Sequence, residues 1–130
     1  MKFYIVARFR LKEVVRDIHK QLQKRGHEIV ADWTTHLEAK PYDENIGLAR
    51  QYSIEDINGA KSCDVFIILS DEAGTNMYGE LGAAIVSHLE HGKPKIYVIG
   101  DHTARSMFYF HPSVNRRRTI DEVLEELEGK

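Results

Sequence analysis

The sequence predicts an α/β three-layer sandwich around a five-stranded parallel sheet, and three observations carry that expectation. Compact β-branched runs alternate along the chain with segments of helical period, the order produced by strand–helix–strand crossovers. Val65-Phe66-Ile67-Ile68-Leu69 is apolar without alternation, as in a strand covered on both faces. The 130 residues, 42% of them hydrophobic, suit one domain over 1–130 whose core needs no covalent staple.

Lys2 to Ala7 (KFYIVA) is the first strand. From Leu11 the period changes: Leu11, Val14, Val15, Ile18 and Leu22 recur at helical spacing, and Gly26 ends the helix behind Lys24 and Arg25. His27 to Trp33 (HEIVADW) reads as strand two. Thr34 to Asn45 is polar, carries Pro41 and is long for a connection, a length at which loops are often functional. Ile46 to Lys61 predicts a helix with Ile46, Ala49, Ile54, Ile57 and Ala60 only partly in phase.

Asp64 to Ser70 is strand three. The glycine-rich run from Gly74 to Gly82 leads into a helix with Leu81, Ala84, Ile85, His88 and Leu89 as its apolar stripe, closed by Gly92. Lys95 to Gly100 (KIYVIG) is strand four. Met107 to Phe110 (MFYF) is a short fifth strand or an aromatic loop. Thr119 and Glu122 form a capping box ahead of a last helix through Ile120, Val123, Leu124 and Leu127. At this length a flavodoxin-like order of five strands is expected rather than a full dinucleotide fold.

Several functions are disfavoured by composition. A formal charge of −2 argues against a dedicated nucleic-acid binder. No apolar run approaches a membrane span, and the N-terminus lacks a signal-peptide core. The lone Cys63 cannot form an internal disulfide, which fits a reducing compartment. A cytoplasmic protein without nucleic-acid or membrane partners is the expectation.

In such a sheet, ligands bind beyond the carboxyl ends of the strands. Ala7–Arg10, Trp33–His36 and Asp71–Glu80 converge there. Glu80 stands among Gly79, Gly82 and Ala83, so bulk is missing around one carboxylate. Either it serves a ligand pocket, or it simply complements the helix dipole while the glycines pack close to the sheet. Asp56 sits late in a helix, where an acid is unfavourable against the dipole; it is a working group or a solvated surface acid. Two carboxylates in different environments are what glycosyl chemistry needs, one ionised toward the sugar carbon and one protonated toward the leaving group.

Arg8 and Arg10 follow strand one and suit phosphate or carboxylate, with surface solvation as the plain alternative. Neither G-x-G-x-x-G after that strand nor G-x-x-x-x-G-K-[ST] occurs, so dinucleotide and triphosphate-hydrolysing sites are unsupported. His88 and His91 have metal-compatible spacing but no third ligand, so neither metal nor other cofactor is expected. Arg116-Arg117-Arg118 reads as a solvated basic loop.

The ordered set Ile54-Glu55-Asp56-Ile57-Asn58-Gly59, Cys63-Asp64-Val65-Phe66 and Gly79-Glu80-Leu81-Gly82-Ala83-Ala84 resembles the nucleoside 2-deoxyribosyltransferase family. Its pattern there is D-(I/L)-N-G, an acid-started strand, then a glycine-rich turn into E-(L/I)-G-x-A. The resemblance is best from about residue 54 to 100. It implies a flavodoxin-like fold and cleavage or transfer of the N-glycosidic bond of a nucleoside or nucleotide. Glu80 would be the nucleophile that forms a glycosyl-enzyme, Asp56 would bind the sugar or move a proton, and Tyr4 or its neighbours on strand one would help shape the sugar and base pocket. Gly74 and Gly79 would border the substrate.

Within the family, a nucleoside 5'-monophosphate N-hydrolase branch carries an Arg at the place of Arg10. Here Arg8 replaces that branch's small hydroxyl residue. Gly74 stands where the family usually has Asp or Ser six residues before the nucleophile, and Asp71 would take that role if the loop is gapped differently. The resemblance also implies a homodimer or higher homo-oligomer with sites completed by a neighbour. Met107–Asn115 (MFYFHPSVN) would be a partner-facing or lid segment, or an aromatic cap on the core. The alternative from another class is a non-catalytic nucleotide-binding or signalling module. Val65–Ser70 with Asp71 and Glu72 also resembles the strand and loop of Toll/interleukin-receptor-like domains.

Overall fold

The computed structural model describes residues 1–129. The strands are β1 (Lys2–Val6), β2 (Glu28–Ile29), β3 (Val65–Leu69), β4 (Lys95–Ile99) and β5 (Val114–Arg117). The helices are α1 (Lys12–Lys24), α2 (Ile46–Ser62), α3 (Met77–His91) and α4 (Ile120–Glu128). All strands are parallel in the order β2-β1-β3-β4-β5. This is the expected α/β class with its five-stranded parallel sheet.

The unbroken apolar strands lie at the centre. Every residue of β3 is buried, β1 from Phe3 to Val6 and β4 from Ile96 to Ile99 flank it, and helices cover both faces. Helix α1 buries Val15, Ile18, His19 and Leu22, while Val14, expected in that stripe, points outward at 48% exposed. In α3 the buried row is Met77, Leu81, Ala84, Ile85 and Ser87; Leu89, also expected inside, is 65% exposed. Thr119 caps α4 as read, its Oγ1 accepting from the Glu122 amide at 3.2 Å.

Two elements differ from the sequence expectation, each for a local reason. β2 keeps only two residues of the seven from His27 to Trp33. Asp32 accepts from the Thr34 amide at 3.0 Å and starts a single 3-10 turn at Trp33–Thr35. The buried Trp33 indole then donates to the Ile5 carbonyl at 2.6 Å, which anchors the departing chain over the end of β1.

The fifth strand is not Met107–Phe110, which forms a 3-10 turn capped by Ser106, with Tyr109 buried. It is Val114–Arg117, so the basic run is largely an edge strand rather than a solvated loop. Arg116 lies 4.1 Å over the Phe110 ring and Arg117 pairs with Glu126 at 2.9 Å, so this strand is held by cation–π and ionic contacts that no hydrophobic pattern reports. A charged edge also resists pairing with foreign strands.

α2 is joined to the sheet through Gly59. A Cβ there would stand 2.6 Å from the Ala31 Cβ and 3.4 Å from the Tyr4 ring. Gly59→Ala ought to gain about 1 kcal/mol of helix propensity, yet the overlap should outweigh it and leave the protein about 1–3 kcal/mol less stable. Urea denaturation checks this, and a stabilised Gly59→Ala protein would contradict the close approach.

Candidate active site

The strand order places β1 between β2 and β3. The chain leaves β1 toward one edge and crosses back to build β3 on its other side, which opens a crevice beyond the carboxyl ends of β1 and β3. Four segments supply its side chains: β1 with its following turn, the third quarter of α2, the 71–76 loop, and the first turn of α3.

Tyr4, Asp56 and Glu80 come together from β1, α2 and α3. Tyr4 is 1% exposed, and its hydroxyl is held protonated first by burial and then by the charges of Glu80 and Asp56. The Glu80 carboxyl is pushed up to about 8, mainly by loss of solvent and then by the charge of Asp56. Asp56 is also raised, again by burial first; the His36 imidazole and the nearby Tyr4 hydroxyl pull it back down. The Tyr4 hydroxyl lies beside the Asp56 carboxyl group, yet neither that hydroxyl nor Asp56 Oδ1 has a partner with hydrogen-bond geometry. Buried polar atoms are ordinarily satisfied, so this pair stands out.

The two glycines beside Glu80 do not serve close helix–sheet packing, whereas Ala83 and Ala84 pack against the core. A Cβ added at Gly79 or Gly82 would meet nothing within 4 Å. Both glycines leave open space beside the carboxylate's helix rather than filling the core.

Arg8, Arg10 and Asp71 form a second group in the same crevice. Asp71 is 2% exposed; Arg8 reaches its carboxylate at 3.3 Å and Arg10 at 2.9 Å, and the Glu72 amide donates to it at 2.7 Å. The cover is shallow, since the two arginine side chains remain 34% and 57% exposed. The Arg10 guanidinium, foremost, holds the Asp71 carboxyl down at about 2. Asp71 therefore ties the turn after β1 to the loop after β3, with both arginines still partly open to solvent.

Gly74 has φ +94° and would place a Cβ 2.8 Å from Arg8 Cγ. The stem of Arg8 runs through the space that a residue-74 side chain would need. Arg105, which no motif marks, donates to the Gly74 carbonyl at 3.0 Å and to the Tyr78 hydroxyl at 3.3 Å. It lies in an aperiodic stretch of sequence, and only the fold brings it to the loop. His36 ends the Trp33–His36 stretch expected at the crevice, though no motif marks it; it stacks on Tyr52 at 3.7 Å and pairs with Glu55 at 3.1 Å. His88 bonds the Pro94 carbonyl at 2.9 Å, and no cluster of three or more potential metal ligands occurs among the described residues.

The parallel sheet in the order β2-β1-β3-β4-β5, with its switch-point crevice, defines a flavodoxin-like class of α/β architecture rather than one chemistry. Among solved structures, the chain is similar to the CMP N-glycosidase BcmB of Clostridium botulinum, with a TM-score of 0.61 over 98% of this chain and 99% of that one. At 17% identity this is a likeness of fold. No protein-family model matches the chain. No curated protein matches it in sequence.

The Asp71 clasp yields a stability prediction. Its pKa is depressed, so its contribution is fully present above the unfolded value near 3.8 and disappears as pH falls toward about 2. Asp71→Asn should therefore cost about 1–2 kcal/mol near pH 6, with the gap to the native protein closing below pH 3. Denaturant melts of both proteins across that range check the magnitude and the closing.

Proposed function

We propose that this chain breaks the N-glycosidic bond of a nucleoside or nucleoside 5'-monophosphate, with Glu80 as nucleophile and Asp56 as proton carrier. The supporting observation is the pair itself: two carboxylates withdrawn from water and sensing one another, with Glu80 pushed up to about 8. Such groups resist simultaneous ionisation, so near neutral pH the resting pair holds one proton, shared as a unit.

In this reading the shared proton passes through Asp56 to the leaving base. The carbon–nitrogen bond breaks with its electron pair moving to the base, and ionised Glu80 bonds to the anomeric carbon. Water or an acceptor base then attacks that carbon, its proton returns to Asp56, and Glu80 departs as carboxylate. The Tyr4 hydroxyl and Asp56 Oδ1, buried without a partner, are unsatisfied polar positions that sugar hydroxyls would satisfy. Arg8 and Arg10 face Asp71 and the nearby Glu72, and their partly exposed guanidinium groups are available to a 5'-phosphate beside Gly74 and the first turn of α3 at Gly79. The fold shared with a CMP N-glycosidase agrees with this reading. Exposed Ile54 and Ile57 on α2, with Val86 and Leu89 on α3, support burial of that face against a second copy.

A second reading has one observation in its favour. At residue 74 the chain has no side chain at all, and Arg8 occupies the space. A non-catalytic nucleotide-binding module would tolerate that replacement.

Chromatography of nucleosides and 5'-monophosphates incubated with the protein separates these readings, because free base appears only under the first. Release without an added acceptor base marks a hydrolase, and a requirement for one marks a transferase. Glu80→Gln should lower base release about a thousandfold or more with its circular dichroism unchanged; full turnover in that variant would sink the mechanism. The pH dependence of kcat/KM should be bell-shaped. It should fall above about pH 8 as Glu80 loses the shared proton, and fall on the acid side as the pair takes a second one.

A further inference from the structure

His36 belongs to no motif and makes no contact with the Arg8–Arg10–Asp71 group, yet its placement is closely specified. Its ring lies 3.7 Å from that of Tyr52 and only 3° from parallel, and Nε2 is 3.1 Å from Glu55. Tyr52 is itself fixed, because its hydroxyl accepts the Leu37 amide at 3.0 Å. Tyr52 and Asp56 are four residues apart on α2 and so share a helical face. An imidazole stacked on Tyr52 therefore lies one turn from Asp56, on the side that the loop after β2 covers. His36 also lines a groove of about 640 Å³ with Ala31, Thr35, Tyr52, Glu55 and Gly59, so water reaches the ring from outside the crevice.

We infer that His36 is a positioning residue for Asp56: clamped by Tyr52 and Glu55, it sets the charge of the carboxylate that carries the proton. The inference rests on the N-glycosidic reading for its catalytic meaning, but the electrostatic link stands in the free protein.

The charged and titratable groups around Asp56 come from four elements. Tyr4 faces it from β1, Glu80 from α3, Glu55 from its own helix, and His36 from the loop after β2. Burial foremost disfavours an ionised Asp56, and the like charge of Glu55 disfavours it further. Among these four groups only His36 brings a positive charge. The Glu55 carboxylate lies 3.1 Å from the imidazole Nε2, and the groove opens beside the ring. In the cationic form His36 keeps the pair from taking a second proton and so extends the singly protonated, working state to lower pH.

The test replaces the charge while keeping either the stack or the polarity. In His36→Phe and His36→Gln, the titration of the Asp56 carboxyl carbon is followed by NMR in the substrate-free protein. Its midpoint should rise in both variants by at least about half a pH unit. The acid limb of kcat/KM should move upward by the same amount while the limb near pH 8 stays in place. A side chain that only braces the loop would lower stability or raise KM without moving either midpoint. An unmoved or lowered Asp56 midpoint in either variant overturns the inference, whether or not the protein turns over substrate. Loss of the N-glycosidic reading would appear instead as absent base release in the native protein.

Discussion

The parallel pairing of β1 with β3, from Phe3 opposite Val65 to Val6 opposite Ile68, is the constraint on which the crevice depends. A long crossover that includes β2 and α2 joins the two strands, and their register aligns their carboxyl ends. The turn leaving β1 must then meet the loop leaving β3. The first carries Arg8 and Arg10, the second carries Asp71, and the resulting clasp holds the two exits together. The same alignment sets Tyr4, near the middle of β1, beneath Asp56 and Glu80 from the helices on either side of β3 in sequence.

Two sets of carboxylates in one crevice show how partner choice decides chemistry. Asp71 and Glu80 are both withdrawn from solvent, but Asp71 has two guanidinium groups and an amide against it and ionises more readily than usual. Glu80 has Asp56 as its charged neighbour and ionises less readily. Burial raises both; compensating charge reverses the outcome only for Asp71. The first arrangement suits a structural tie, and the second stores a proton near neutrality.

Arg8 and Gly74 are best regarded as a single packing unit. The resemblance to the nucleoside 2-deoxyribosyltransferase family would put a small hydroxyl residue at the place of Arg8 and a polar side chain at that of Gly74. In three dimensions the Arg8 stem passes within 2.8 Å of the position a residue-74 Cβ would occupy, so each change accommodates the other. Arg105 completes the arrangement by bonding the Gly74 carbonyl from the segment before β5. A loop with no side chain at residue 74 is thereby held by two arginines from other parts of the chain.

By itself the sequence determined the α/β class, the buried central strands and the helix ends, because these depend on local period, propensity and caps. β3 is apolar at every position, Thr119 caps α4, and Gly92 ends α3 in a left-handed turn. It also singled out Glu80 and Asp56, since an acid among glycines and a helix acid against the dipole are visible without coordinates, whereas Tyr4 entered only through the family resemblance. Tertiary structure alone decided the fate of Trp33, which leaves the sheet because its indole finds the Ile5 carbonyl. It turned Val114–Arg117 into a strand through ionic and cation–π contacts across the fold. It also decided which carboxylates would be neutralised and which left facing one another. Desolvation and pairing depend on neighbours that are remote in sequence, and no local pattern in this chain encodes the distance from Arg8 to Asp71 or from His36 to Tyr52.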